Sequence, residues 1–315
     1  MCQRAFCSLT HSVQEIVSLH KYLRAVGFSE LMNSYDRINL IDDIKTKSSY
    51  HMQAAILDDP EEMLTEYKMD LAGGCGLTMA GSFEDENDFL AGQIEPFLTP
   101  ETITTMEEVF VEERIDNRSF AGICDDMRIG TTLIFRLLNP IDYLRFSAFQ
   151  ELPCPGTAVC LSALSVEGTV VLPLEKSPYE VQVIRQRADR RRKLMEAARD
   201  GDEQAMQTIT MEDMDTYGDL LGKIQDNDIL TLVDSFFMPT GAECDVYYIM
   251  GEILACRQVR NPYTLDRIHI LTVQCSGIEF PVAINDKDLY GHPQPGRRFK
   301  GVIWLQGIIR FPGTV

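Results

Sequence analysis

The stretch "GRRFKGVIWLQGIIRF", residues 296–311, has the alternating pattern of a long β-strand and contains the only tryptophan of the chain. Successive side chains of a strand point to opposite faces. The positions from Phe299 to Phe311 on one face are all apolar or glycine, so we assign that face to a core. The other face carries Arg298, Lys300, Val302, Trp304, Gln306, Ile308 and Arg310.

This second face has two interpretations. In the first it is a ligand-binding surface, where Arg298, Lys300 and Arg310 meet anionic groups and Trp304 is a stacking platform. In the second its apolar residues pack against the rest of the chain, with the charged ends at the rim. The apolar residues on the face favour packing. These four residues are nevertheless our candidate contacts for a partner protein or a polyanionic ligand.

Three further strands are predicted just before this stretch, at 245–259, 267–275 and 278–284. Glycines inside two of the four strands indicate a strongly bent sheet or a small barrel. The strand order is similar to that of OB-like barrels, although such a likeness does not itself define a function. Residues 245–315 hold eight Lys and Arg against six Asp and Glu, whereas the whole chain has a net charge of −19.

The region before the predicted barrel mixes helices and strands. Residues 12–47 have helical periodicity, and Gly27 is typical of a helix C-terminus. From residue 50 to residue 175, short apolar or alternating runs predict a mostly antiparallel sheet. After it, Ser177 with a proline and a glutamate in the next three positions resembles a helix start. Gly201 would end that helix and Asp202 would cap another.

These patterns predict an α+β fold with a helix-flanked, mostly antiparallel sheet, a helical connector and a C-terminal small β-barrel-like (OB-like) module. The predicted boundaries are 20–176 for the N-terminal α+β domain, 177–240 for the connector and 241–315 for the β-barrel-like domain.

Composition narrows the functional classes. The nine cysteines show no CxxC spacing and the five histidines are scattered, so we expect reduced thiols, no metal and no cofactor. No run of about 18 apolar residues occurs, which predicts a cytoplasmic protein without a membrane span. The acidic charge disfavours non-specific binding to nucleic acid. Unpaired strand edges make self-association a further expectation.

Two functional hypotheses follow. The leading one is a non-catalytic binding or interaction protein that uses its C-terminal β module. The alternative is an enzyme that acts on a small molecule in a cleft between the two β parts, with Cys124, Asp125 and Asp126 as weak catalytic candidates. Adjacent strand residues point to opposite faces, so the two aspartates are more typical of a turn after a buried cysteine.

Several stretches resemble an uncharacterised family of proteins from anaerobic Gram-positive bacteria, known only as a domain of unknown function. The resemblance covers about residues 20–311 and implies a cytoplasmic bacterial protein, without an activity or a site. Related chains begin at the equivalent of the residue before His20. We therefore expect residues 1–19 to contain a mis-assigned N-terminal extension, with translation starting at position 19. The stretches are "HKYLRAVGFSEL", "FAGICDDMRIGTTLIF", "AARDGDEQAM", "FMPTGAECD" and "GRRFKGVIWLQG".

Overall fold

The structure, a computed structural model, forms two compact units. One comprises the residues up to 171 together with those from 236 onward, and the other comprises residues 172–235. The expected extension 1–19 lies outside the described residues. The described residues are 20–29, 34–56, 62–85, 88–114, 119–173 and 235–312, with 186, 190, 193–194, 197–198, 201–208 and 211.

The first unit begins with helical segments and a four-stranded sheet. A 3-10 helix, Lys21–Val26, ends at Gly27, whose φ of +99° is the left-handed conformation predicted for this position. The helix α1 spans Ser34–Lys47. An antiparallel sheet in the order β1-β2-β3-β4 follows. Its strands are β1 Tyr50–Ala55, β2 Met63–Ala72, β3 Cys75–Asp85 and β4 Asp88–Leu98.

The rest of this unit is a second, larger sheet. A helix, α2, spans Pro140–Ser147, and a 3-10 turn spans Asp286–Asp288. The strands are β5 Val109–Arg114, β6 Ser119–Asp126, β7 Thr131–Leu137, β8 Ala158–Val171, β9 Phe236–Pro239, β10 Val246–Arg260, β11 Arg267–Cys275, β12 Ile278–Asn285, β13 Leu289–Tyr290 and β14 Arg298–Arg310.

Five of these strands close into a barrel. The order β8-β12-β11-β10-β14 returns to β8, because β8 pairs with β14 along the whole of β14. All the neighbours are antiparallel except β8 and β12, which run parallel. Beyond the barrel, the end of β14 pairs with β7, and β6 and β5 extend the sheet. The predicted barrel is therefore present.

The barrel combines the two segments that the sequence analysis assigned to separate domains. Four of its strands lie within 241–315, but the fifth, β8, comes from the predicted N-terminal domain 20–176. Both segments accordingly belong to one compact unit. The sequence of an apolar strand indicates that the strand is buried, but it does not indicate which strand is its partner in the sheet.

The balance of secondary structure confirms the predicted α+β class only in part. Of the described residues, 54% lie in strands, so the fold is mostly β. This predominance of strands agrees with the core, because one large apolar cluster fills the barrel and the β5–β7 extension. It contains Phe299, Ile303, Leu305 and Ile309, the face of β14 that we assigned to a core.

The second unit contains the helical turn that the sequence predicts. Gly201 has φ +90°, and its N–H donates to the carbonyl oxygen of Ala198. The Asp202 carboxylate then accepts the backbone N–H groups of Gln204 and Ala205 at 2.9 and 3.2 Å, as an N-cap does. The predicted helix start at Ser177 lies outside the described residues.

Candidate functional site

Trp304 lies on the outer face of the barrel but is covered. Only 3% of the residue is exposed, and its Nε1 donates to the Asp245 Oδ2 at 3.0 Å. Its ring stacks on His20 with centroids 4.1 Å apart and on Tyr22 at 5.3 Å. We call these three rings the Trp304 stack. Because the N-terminal 3-10 helix covers this face, the indole is not the open stacking platform of the ligand-binding interpretation, and the favoured packing interpretation applies to it.

The other three candidates on β14 do not share one surface environment. Arg298 is 6% exposed, whereas Lys300 and Arg310 are exposed. Arg310 donates from Nη2 to the backbone oxygen of Glu101 at 3.3 Å. The packing interpretation of this face therefore describes Trp304, and the four residues do not form one continuous basic and aromatic stripe.

The Cys124 candidate site holds a buried thiol. Cys124 is 1% exposed, and burial raises the pKa of its thiol to about 12. Asp125 points the other way and accepts the Thr132 hydroxyl at 2.6 Å. Asp126 is buried, which opposes ionisation, but hydrogen bonds from Arg128 lower the pKa of this carboxyl. The three weak catalytic candidates are thus a buried thiol, an exposed aspartate and an ion-paired aspartate.

A different polar site crosses the four-stranded sheet. Tyr50 of β1 lies opposite Lys68 of β2, Lys68 opposite Thr78 of β3, and Thr78 opposite Glu95 of β4. Directly opposed residues share a face of an antiparallel sheet, so the four side chains form one row. Two more residues complete what we call the polar layer: Glu66, two positions before Lys68 on β2, and Arg136 of β7.

Glu66 is the most deeply buried carboxylate of the polar layer. The residue is 3% exposed, and its Oε1 accepts the Thr78 hydroxyl at 3.2 Å. Its Oε2 lies 3.2 Å from the Lys68 Nζ, in an ion pair. Burial raises the pKa of Glu66, and the charge of Lys68 together with its hydrogen bond acts in the opposite direction. Lys68 is thus the charge partner of this carboxylate and also one of its hydrogen-bond donors.

Lys68 connects the row to the β7–α2 loop. Its Nζ donates to the backbone oxygen of Leu138 and lies 5.1 Å from the centre of the Tyr50 ring. The Lys68 side chain is 17% exposed, so water reaches this edge of the polar layer. Burial is also the main cause that raises the pKa of the Tyr50 hydroxyl.

The second ion pair of the polar layer joins the two sheets. Arg136 lies 2.6 Å from the Glu95 Oε2, and its side chain is 13% exposed. Its strand partner on β14 is Gln306, which is fully buried. Gln306 donates from Nε2 to the oxygen of Pro96 at 2.9 Å and accepts the N–H of Leu98 at 3.1 Å. This one amide fixes β4 against the barrel beside the polar layer.

The polar layer continues into the Trp304 stack. Burial lowers the pKa of His20, on which the charges of Glu95 and Arg136 also act. On the far side, Asp245 binds the indole and pairs with Arg114 at 3.0 Å. Buried or half-buried charges therefore run from β2 to the start of β10.

The sequence contains only a faint signal of this site. In "LTEYK", Leu64, Glu66 and Lys68 lie on the same face of β2. The apolar Leu64 indicates that this face is covered, and two charged residues follow it on the same face. The partners Thr78, Glu95 and Arg136 are close only through the pairing and packing of strands, which the sequence pattern does not give. The polar layer was therefore missed.

Comparisons with known proteins give a family without an activity. The model of a family described as "Domain of unknown function, E. rectale Gene description (DUF3881)" matches residues 23–307. No curated protein and no solved structure matches. Among the described residues, no helix is long and apolar enough to cross a membrane, and no three His, Cys, Asp or Glu side chains converge as metal ligands.

Proposed function

The chain belongs to this family, whose function is unknown, and we propose that it is a binding protein that holds a small polar molecule at the polar layer. The observation that carries the proposal is the ion pair of Glu66 and Lys68, in which the carboxylate is almost fully buried while the lysine side chain is 17% exposed. A buried charge is costly even when it is paired. Because water still reaches the lysine, a polar ligand can reach this pair.

The energetics of the polar layer favour a functional role. Burying ion pairs such as Lys68–Glu66 and Arg136–Glu95 stabilises a fold little, since desolvation offsets much of their attraction. Apolar side chains of similar volume would serve packing equally well. Carboxyls whose pKa is shifted by burial beside a specific charge are enriched at functional sites.

Binding accounts for these groups better than catalysis. Cys124, the candidate nucleophile of the enzyme alternative, is buried with a raised pKa. All six residues of the polar layer lie in the segment 20–176, and four of them form ion pairs. We therefore keep the predicted non-catalytic binding role in the bacterial cytoplasm and move it from the β14 face to the polar layer.

A thermal-shift screen tests this proposal. Wild type, Glu66→Gln and the control Glu101→Gln are melted with a library of small polar molecules of all three charge classes. Glu101 has a side chain 75% exposed, on the surface. A ligand at about 100 times its Kd adds about 2.7 kcal/mol to unfolding. We expect compounds that stabilise wild type and the control but not Glu66→Gln. Hits that stabilise all three proteins equally, or no hits, would refute the proposed site.

A further inference from the structure

We infer that strand β10 binds an extended, acidic segment of a partner protein, which joins the barrel sheet as an added strand. The binding surface is the last part of β10, residues 254–260, which we call the β10 edge. It is separate from the polar layer and lies in the C-terminal β module. The pairing, the exposure and the charge of the β10 edge support such a partner.

One side of β10 has no strand partner after Glu252. Up to this residue β10 pairs with β14 on that side, and from Glu252 onward it pairs with β11 on the other side. The backbone of Ile253 still bonds to Gly296 and Arg297. Within the described ranges of the chain, no backbone hydrogen bond reaches residues 254–260 from the side of β14. The backbone N–H and C=O groups on this side can therefore pair with an added strand.

The β10 edge is open to solvent. Residues 254–258 and Arg260 are exposed, and Val259 is partly covered. The loop before β14 contacts the edge at Cys256, whose thiol donates to the Pro293 oxygen at 3.6 Å. An added strand gains affinity from main-chain hydrogen bonds, and the side chains along the edge select its sequence.

The charge of the β10 edge indicates an acidic partner. Residues 253–265 contain Arg257 and Arg260 and no Asp or Glu, in a chain with a net charge of −19. Arg260 lies directly opposite Arg267 of β11, and like charges at opposed positions of a strand pair are destabilising. Arg267 pairs with Asp286, whereas Arg260 has no ion pair or hydrogen bond within the described residues. A carboxylate of the partner would relieve this repulsion.

Arg257 offers the partner a second charged contact. Its guanidinium donates to the Gly73 oxygen at 3.0 Å and to the Glu101 carboxylate at 3.2 Å. Both side chains of this ion pair are exposed, and such pairs contribute little to stability, so a partner carboxylate can replace Glu101. Arg257 and Arg260 are three positions apart and lie on opposite faces of the sheet. The partner strand therefore needs two acidic residues three positions apart.

A second copy of this chain fits the β10 edge less well. Pairing of two β10 edges would bring the arginines of both copies together, and like charges across a strand pair are destabilising. At physiological salt, charges farther away than about 8 Å are largely screened. The acidic remainder of the chain therefore acts only weakly on an acidic segment bound at this edge.

Designed peptides test this class of partner on the full chain. The probe is a fluorescein-labelled peptide, TVEVTEVT, whose two glutamates are three positions apart, and fluorescence anisotropy measures its binding. We expect a Kd below about 1 mM that rises with salt concentration. The same peptide with glutamine in place of both glutamates should bind about five- to ten-fold more weakly. The absence of binding at about 1 mM acidic peptide, or equal binding of the two peptides, would overturn the inference.

N-methylation distinguishes an added strand from simple ion pairing. One version of the acidic peptide carries methyl groups on the backbone amides of alternate residues, and a second version carries them on the remaining residues. Only one of these two sets faces β10 in an added antiparallel strand. One version should therefore bind about ten-fold more weakly than the other. Equal binding of both versions would contradict strand addition.

Variants and hydrogen exchange locate the bound peptide. Arg257→Gln and Arg260→Gln should each weaken binding of the acidic peptide about two- to five-fold. The control Lys300→Gln removes the same charge from an exposed position of β14 and should not weaken it. In wild type, the peptide should slow hydrogen exchange in residues 254–260, and unchanged exchange there would overturn the inference. A dimer that protects these residues without any peptide would identify a second copy as the occupant instead of an acidic partner.

Discussion

Replacing Gln306 tests whether one buried amide fixes the four-stranded sheet against the barrel. In Gln306→Leu the side-chain volume is nearly kept, but the bonds to the Pro96 oxygen and the Leu98 N–H are lost. Each backbone group left without its partner costs about 1–3 kcal/mol. The free energy of unfolding should therefore fall by about 2–6 kcal/mol.

The assay is urea denaturation followed by the emission of Trp304, the only tryptophan, which shares the outer face of β14 with Gln306. The matched control is Gln258→Leu, because Gln258 is an exposed residue of β10 whose side chain faces His269 of the neighbouring strand β11 at 3.5 Å. Its unfolding free energy should change by less than about 0.5 kcal/mol. A loss below about 1 kcal/mol for Gln306→Leu, or an equal loss in both variants, would refute the anchoring role.

Three further predictions concern titratable groups and thiols. Burial lowers the pKa of His20 below its ordinary 6.5, so the unfolded chain binds the proton more readily than the folded protein does. The free energy of unfolding should therefore decrease as the pH falls below about 6.5. His20→Gln should flatten this dependence in denaturation curves taken between about pH 5 and 8. Iodoacetamide should label the exposed Cys244 and Cys256 in the native protein. It should not label Cys75, Cys124 or Cys275, because burial raises the pKa of each of these thiols to about 12. Peptide mass spectrometry identifies the labelled cysteines, and early labelling of Cys124 would contradict its burial. The fluorescence of Trp304 should be blue-shifted and poorly quenched by acrylamide. His20→Ala should increase the quenching several-fold, because it uncovers the indole. Efficient quenching in wild type would argue against the Trp304 stack.

Local patterns predicted the barrel strands well. Three of the four predicted strands end within one residue of β10, β12 and β14, and the fourth coincides with β11, Arg267–Cys275. The core face of β14 was also correct, because strand alternation depends only on neighbouring residues. The family resemblance is confirmed by the match over residues 23–307.

The missing parts depend on contacts between distant segments. The closure of the barrel by β8 pairs Ala158–Val171 with a strand more than a hundred positions away, and no local pattern reports that register. The described part of the predicted helical region 12–47 contains a 3-10 helix and α1, and the Ser29 hydroxyl between them donates to the distant Asp266. The polar layer was missed for the same reason, since its six residues lie on five strands.

The most direct test of the account is the ionisation of Glu66 itself. The carboxyl carbon of this residue, assigned by comparison with Glu66→Gln, can be titrated by NMR without and with a saturating ligand from the thermal-shift screen. The account predicts a pKa above the ordinary 4.5 in the free protein and a changed pKa in the complex, because a ligand at this carboxylate alters its solvation and hydrogen bonding. An ordinary pKa that the ligand does not change would contradict a binding site at Glu66.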